Sequence, residues 1–336
     1  MPELPEVETM ARDLAPLVEG ADITGAWWDW SPVIRHPAPD AFRRSIVGRR
    51  VTRVGRRAKW LVLDLTDDGV LAIQVKMTGQ LFVLPEGTPH DQHVHLRLTL
   101  GPGPVAGGGR HHGPRWLLFR DIRKFGRVGL YRRAADGTIL GEDEAGELFG
   151  EHGPEPLADD FSVRRFRELL RRRRGRLKST LLDQSFIAGV GNIYADESLW
   201  RARLHPLRSA DSLNTEQERR LYQAIRGVMS EAIVRRGSSV DEYTAPEGGG
   251  EMQEYLDVYQ RTGQPCHRCG RPILRFELNA RGTHYCPWCQ RLPAAHRVGS
   301  NAALVRRARR SARRGRNWAD LGEPGMVGRR EPAVAR

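Results

Sequence analysis

A chain of 336 residues, 39% hydrophobic and 28% charged, carries enough apolar material for a packed core, and its length suits two domains with a small appendage. No apolar run approaches the roughly 18 residues of a membrane span, and the polar N-terminus lacks the basic-then-apolar layout of a secretory leader, so a cytoplasmic protein is expected. The net charge of +13 is uneven: residues 291–336 hold 12 Arg against 3 acidic residues, which makes a polyanion the expected partner, nucleic acid ahead of an anionic membrane.

In chain order, the first feature is Met1-Pro2-Glu3-Leu4-Pro5-Glu6. A small second residue favours removal of the initiator methionine, which would leave Pro2 with a free secondary amine, a nucleophile no internal residue supplies. An α-amino group titrates near pH 7.7–8.0, so an appreciable fraction is unprotonated at neutral pH. Glu3 and Glu6 are close enough in sequence to move protons during an attack. Pro5 suits the first turn of a helix, and Val7, Met10, Leu14 and Leu17 recur on one face of it up to Gly20.

Residues 21–131 predict mostly strands. Val94, Leu96, Leu98 and Leu100 alternate with polar partners, and short apolar runs at 59–65, 70–75, 80–84 and 115–120 are separated by turn residues. Many short strands of this kind predict a sandwich or flattened barrel. The Gly-Pro-rich stretch 101–114, with His111 and His112, predicts an extended surface loop. Residues 132–160 turn to Gly, Asp, Glu and Pro and predict a linker. Helices are then expected around Phe166–Leu170, over 176–185, from Ile193 to Arg201, and from a capping box at Thr215 and Glu218 to Gly237.

Two local motifs stand out. Cys266-x2-Cys269-x16-Cys286-x2-Cys289 can place four thiolates on one tetrahedral zinc ion, with a hairpin between the pairs. Gly189-Val190-Gly191-Asn192 opens a helix, where unpaired backbone N–H groups suit a phosphate; on the residues alone a purely structural glycine turn is the commoner reading.

Together these features resemble the bacterial formamidopyrimidine-DNA glycosylases. The resemblance rests on Pro2-Glu-Leu-Pro-Glu-Val-Glu8, Lys59 in Arg57-Ala-Lys-Trp60, Met77-Thr-Gly79, Asp121-Ile-Arg-Lys-Phe-Gly126, Ala188 through Ser198, and the four-Cys hairpin with Arg281 before its third Cys. It implies an α+β fold: an N-terminal β-sandwich with an N-terminal helix (1–135), a linker (136–160), a helix-two-turns-helix DNA-binding domain (161–237), a mobile lesion-covering loop and connector (238–262) and a zinc-finger hairpin (263–291). The basic tail (292–336) has no counterpart in the family, and its own composition predicts disorder with a helical stretch through Arg306–Arg316. The resemblance implies a bifunctional enzyme of base-excision repair, monomeric and nucleoid-associated, with one structural zinc and duplex DNA carrying oxidised bases or abasic sites as substrate. Oxidised purines would be released through a Pro2 Schiff base, and the strand nicked by β,δ-elimination.

By the same resemblance, Pro2 is the nucleophile, Glu3 the general acid/base, Glu6 a stabiliser of that geometry, and Lys59 and Arg281 complete the catalytic group. Met77, Arg123 and Phe125 fill the gap left by an everted base, and His93, Arg123, Arg173, Lys178, Asn192 and Arg281 hold phosphates around it. The chain departs from the family pattern at Ile122, Lys124, Gln74-Val75 and the 101–114 insertion. These departures bear on lesion choice, and two other readings stay open: an endonuclease VIII-like enzyme for oxidised pyrimidines, and a zinc protein that only binds damage.

Overall fold

The computed structural model describes residues 2–104, 110–111, 113–141, 146–238 and 249–314. The lesion-covering loop expected at 238–250 therefore lies almost wholly outside the described residues, as do 105–109 and 112 of the 101–114 insertion and the tail beyond 314. The chain divides into two compact units: Met1–Ser162 with Asp183–Gly191 and Arg226–Tyr255, and Val163–Leu182 with Asn192–Ile225 and Leu256–Arg336.

The first unit opens with helix α1 (Leu4–Val18) and continues through strands β1 (Ile23–Trp28) and β2 (Ile34–His36), helix α2 (Pro39–Ile46), and strands β3 (Val51–Arg57), β4 (Trp60–Leu65), β5 (Gly69–Gln74), β6 (Gly79–Pro85), β7 (Val94–Leu100), β8 (Gly103–Pro104), β9 (Arg110–His111), β10 (Arg115–Asp121), β11 (Arg127–Arg133) and β12 (Ile139–Leu140). One sheet has the order β1-β7-β10-β6; the other runs β12-β11-β5-β4-β3, with β2 parallel to β11. The period-two pattern of β7 emerges as expected: Val94, Leu96, Leu98 and Leu100 are all buried. Leu96, Leu98 and Leu100 share one core with Leu61, Leu63, Leu71, Ile73 and Leu130 of the second sheet and with Val7, Met10 and Leu14 of α1. The two sheets and α1 thus bury one another's apolar faces, which is the α+β sandwich the alternation predicts.

Residues 136–160, expected as a linker, are held to this unit by two side chains that composition conceals. Phe149 packs with Val62, Val70 and Tyr131. The Glu155 carboxylate accepts from Arg56 (2.6 Å), Arg57 (2.8 Å) and the Ala58 backbone N–H (2.6 Å). The segment 183–191 joins the same unit through Gly153 N–H to the Gln184 carbonyl (2.8 Å) and Ala188 N–H to the Pro154 carbonyl (3.0 Å).

The second unit holds α3 (Val163–Arg171), α4 (Leu177–Leu182), α5 (Asn192–Arg201) and the first turns of α6 (Thr215–Val234), then the hairpin β13 (Leu274–Leu278) and β14 (Arg281–Tyr285) and helix α7 (Gly299–Arg314). The capping box of α6 sits one residue earlier than expected. Asn214 N–H donates to Gln217 Oε1 (3.1 Å) and Gln217 N–H to Asn214 Oδ1 (2.9 Å). Asn214 also suits an N-cap, and Glu218 is occupied instead by Arg167 and Arg171 at 2.8 Å each.

The basic tail corrects the sequence-based expectation most clearly. Where a helical stretch is expected only through Arg306–Arg316 of a disordered tail, α7 forms over Gly299–Arg314, and Leu304, Val305 and Ala308 pack with Phe276, Leu278 and Tyr285 of the hairpin. Three apolar residues on one face are enough to dock a helix in which six of the sixteen residues are arginine. Among the described residues no helix is long and apolar enough to cross a membrane.

Candidate active site

In the first unit, the N-terminal turn of α1 concentrates acidic chemistry in a dry place. Glu3 caps the helix in an extended conformation, and its own N–H donates to Glu6 Oε2 at 2.8 Å. Both carboxylates are only 2% exposed, so each needs compensating donors. Glu3 Oε2 accepts the Gly191 N–H (2.7 Å), and Glu6 Oε1 accepts the Ser238 N–H (2.8 Å). The buried Pro2 directly precedes this pair.

Glycine makes that arrangement sterically possible. A Cβ on Gly191 would lie 2.3 Å from the Glu3 carboxyl carbon, and one on Gly189, which has φ +82°, would lie 2.6 Å from the Leu4 Cβ. A Cβ on Gly237 (φ +76°) would lie 2.8 Å from Glu6 Oε1. Gln184 fixes the turn by accepting from Gly189 N–H and donating to the Val190 carbonyl, both at 2.9 Å. The sequence presents Gly189 and Gly191 as places for a phosphate backbone to approach closely; in the fold the close approach is made by Glu3 and Leu4.

Lys59 occupies the two-residue turn between β3 and β4, after Ala58 with its positive φ of 53°. The Glu155 carboxylate clamps that turn from below. Burial works against its charge, but Arg56, the Ala58 N–H and Arg57 outweigh burial and hold its pKa below the usual carboxylate value. No local pattern in the sequence announces a contact between residues 97 apart.

A second cluster in this unit joins Met77, Arg123 and Phe125. The Arg123 guanidinium lies 4.7 Å from the Phe125 ring centroid and 3.3 Å from the Met77 sulfur, and Phe125 is 46% exposed. The loop stands out because buried Asp121 ties its base: its carboxylate accepts from the Thr78 hydroxyl, from Arg123 N–H (3.2 Å) and from Gly126 N–H (2.6 Å). Asp121 N–H in turn donates to the His93 carbonyl (2.8 Å), which places half-buried His93 beside the loop. Asp121 and Thr78 are the organising residues; their motifs are visible in the sequence, their pairing is not.

In the second unit, Lys178 departs from the expected phosphate contact. Its side chain is fully buried, 2.7 Å from Asp196 Oδ1 and donating to the Gly282 carbonyl at 2.8 Å. Asp196 also accepts the His284 N–H (2.8 Å). Lys178 thus joins α4, α5 and β14. Arg281 begins β14 after a turn in which Asn279 and Ala280 both have positive φ, the backbone a tight hairpin requires, and Arg281 is exposed. Asn192 opens α5 with its buried Oδ1 lacking a partner among the described residues. Half-buried Arg173 follows α3.

The four cysteines converge in this unit. Cys266 and Cys289 sulfurs are 3.9 Å apart, Cys269 and Cys286 sulfurs 3.5 Å, and all four lie within 4.8 Å of one another. Zinc–sulfur bonds of about 2.3 Å put tetrahedral ligands about 3.8 Å apart, so the set fits zinc and is far too open for disulfides. The chain holds one structural zinc ion here. Trp200 Nε1–H donates to Cys266 Sγ at 3.4 Å and couples the centre to α5.

Comparison with known proteins agrees with this geometry. Residues 1–128 match the formamidopyrimidine-DNA glycosylase N-terminal domain, residues 152–244 the H2TH domain of the same glycosylases, and residues 263–292 a zinc finger found in FPG and IleRS. The chain is 47% identical over 292 residues to a formamidopyrimidine-DNA glycosylase from Chloroflexus aurantiacus, covering 86% of this chain and 98% of that protein. It is 43% identical to one from Roseiflexus, covering 87% and 100%. Among solved structures, the Lactococcus lactis Fpg in complex with DNA containing an abasic site superposes with a TM-score of 0.74 at 31% identity, covering 86% of this chain and all of that one. MutM in complex with DNA containing carbocyclic 8-oxo-G gives 0.75 at 32%, covering 87% and 100%.

Proposed function

Because this chain belongs to the formamidopyrimidine-DNA glycosylase family, we propose that it removes oxidised purines, 8-oxoguanine and formamidopyrimidines, from duplex DNA and then cuts the strand at the resulting abasic site. The observation that carries this reading is the pair of buried carboxylates, Glu3 and Glu6, locked by backbone N–H groups directly after Pro2.

The Pro2 nitrogen attacks C1′ of the damaged nucleotide as the bond from C1′ to the base breaks, and the base leaves with a proton. Glu3 is placed to move that proton and the one exchanged at the sugar ring oxygen. Opening of the sugar gives an iminium, which draws electrons from C2′ and makes its proton acidic. Loss of that proton expels the 3′ phosphate, and a second elimination expels the 5′ phosphate. Glu6 holds the first turn of α1 in register by accepting the Glu3 N–H. Lys59, on its clamped turn, assists elimination.

Met77 and Phe125 enter the stack where the damaged base leaves it, and Arg123, held between them, hydrogen-bonds the widowed base. His93, Arg173, Asn192 and Arg281 hold phosphates, whereas buried Lys178 acts through β14 by fixing the strand that Arg281 begins. The zinc gives the hairpin its folding free energy and takes no part in the chemistry. The division of labour follows the expected domains, with the sandwich reacting, the helical module and hairpin binding, and the 238–262 segment covering the base. The enzyme works as a monomer in the cytoplasm, associated with the nucleoid.

A labelled duplex with a single 8-oxoguanine tests the reading. Purified protein should release the base and leave phosphates on both sides of a one-nucleotide gap, and Pro2→Gly should do neither. Base release without strand cleavage, or preference for an oxidised pyrimidine over 8-oxoguanine, would contradict it.

A further inference from the structure

Helix α7 is absent from the matched family models, the last of which ends at residue 292. Its docking is built rather than incidental. Leu304, Val305 and Ala308 pack on the hairpin, while Arg176 fixes the helix start by donating to Asn301 Oδ1 (2.8 Å) and Ser300 Oγ (2.6 Å). Asn301 Nδ2 then donates to the Leu207 carbonyl (3.3 Å).

With one face so held, the helical period puts Arg306, Arg307 and Arg310 on the opposite face, and all three are exposed, as is Arg309. The sequence 299–314 contains six arginines and no acidic residue. The helix macrodipole favours cations in the last turn but gives no reason for Arg306 and Arg307, which lie a turn and more earlier. A membrane surface would demand bulky apolar residues beside the charges; the open face offers only Ala303 and Ser311, because the apolar residues are spent on the hairpin.

We propose that α7 is a second phosphate-binding surface, a rigid arginine stripe that tracks the backbone of the same duplex outside the lesion. From Arg306 to Arg310 the stripe extends about 6 Å at 1.5 Å per residue, the length of about two successive phosphates on one strand at 3.4 Å each. The helix is anchored beside the hairpin tip, where Leu278 and Asn279 line a groove with Ser300 and Arg307, and Arg281 follows two residues later. The stripe therefore continues a binding surface within one unit. The proposal rests on the glycosylase reading only for the identity of the nucleic acid.

The test is the salt dependence of binding to a long undamaged duplex by the full chain and by a triple variant, R306Q/R307Q/R310Q. Each arginine–phosphate contact contributes about 0.9 to the slope of log affinity against log salt. The variant should lose roughly 2 to 3 units of slope, so that between 50 and 200 mM salt its affinity falls about 40-fold less than that of the unaltered chain. Glutamine keeps helix propensity close to arginine's, and R306K/R307K/R310K, which keeps the charge, should keep the slope. Equal slopes for the glutamine variant and the unaltered chain would overturn the proposal. So would an unchanged DNA slope with lost binding to phosphatidylglycerol vesicles. A borohydride adduct of the unaltered chain with 8-oxoguanine duplex, measured in parallel, separates the outcomes: its absence counts against the glycosylase reading, and equal slopes in an adduct-forming protein count against the stripe alone.

Discussion

The two units keep charged groups buried by opposite means. In the first, Glu3 and Glu6 are satisfied by backbone N–H groups of Gly191 and Ser238, and tolerance depends on glycines that leave no room for a methyl group. In the second, the ion pair Lys178–Asp196 and four thiolates around zinc hold α4, α5 and the hairpin together. Backbone donors cannot be removed by a side-chain substitution, so the geometry of Glu3 and Glu6 follows from the fold of the chain around them. Ion pairs and metal sites are stronger ties but fail as a whole when one partner is removed. The first unit is built for placement, the second for cohesion.

The largest effect should come from the metal. Chelation removes on the order of 10 kcal/mol of folding free energy from a four-thiolate site, so the metal-free chain should lose duplex binding and regain it when zinc is returned, as followed by fluorescence anisotropy. Unchanged binding without metal would end the contrast between the units. Next, Lys178→Ala leaves the Asp196 charge buried without its cation; about 3–5 kcal/mol should be lost in urea unfolding. A double variant with Asp196→Asn should recover part of it.

In the first unit, Gly191→Ala should act on rate rather than on stability. A methyl group forced into the space 2.3 Å from the Glu3 carboxyl carbon displaces that side chain, and misplacement of about 1 Å costs on the order of 100-fold. Single-turnover base release measures it, and an unaltered rate would show that Glu3 does not need this position. The smallest effect concerns Glu155. Its pKa is lowered in the folded chain, so its stabilisation is present in full above the ordinary carboxylate value of 4.5 and is lost as pH falls through the lower folded value. At neutral pH, Glu155→Gln should cost about 2 kcal/mol, and the difference in melting temperature should shrink as the pH drops below 4.5. A constant difference from pH 7 to 3 would mean that the charge contributes nothing.

What was legible in the sequence follows from how local each signal is. The alternation of Val94 to Leu100 reports its own burial, and Cys-x2-Cys pairs carry their ligand geometry with them. The α6 cap was legible as a motif but not to the residue, because Asn214 and Thr215 are both good caps with a suitable partner three residues on. Glu155 had no local signature, since its partners Arg56, Arg57 and Ala58 are nearly a hundred residues away. Gly189 and Gly191 announced a close approach without saying of what. Lys178 carried no local sign of its burial against Asp196 on the next helix. Helix α7 was legible as a helical stretch, but its earlier start and its docking on the hairpin were hidden by arginines that make a docked helix look like a solvated one.

The central claim is that the Pro2 amine carries out the reaction, and it can be tested directly. Protein incubated with 8-oxoguanine duplex is reduced with borohydride, digested, and its cross-linked peptide sequenced by mass spectrometry. The account predicts a sugar remnant on the nitrogen of an N-terminal Pro2, and no cross-link in chains that retain Met1. A cross-link on Lys59 or any other lysine, with Pro2 unmodified, would contradict it.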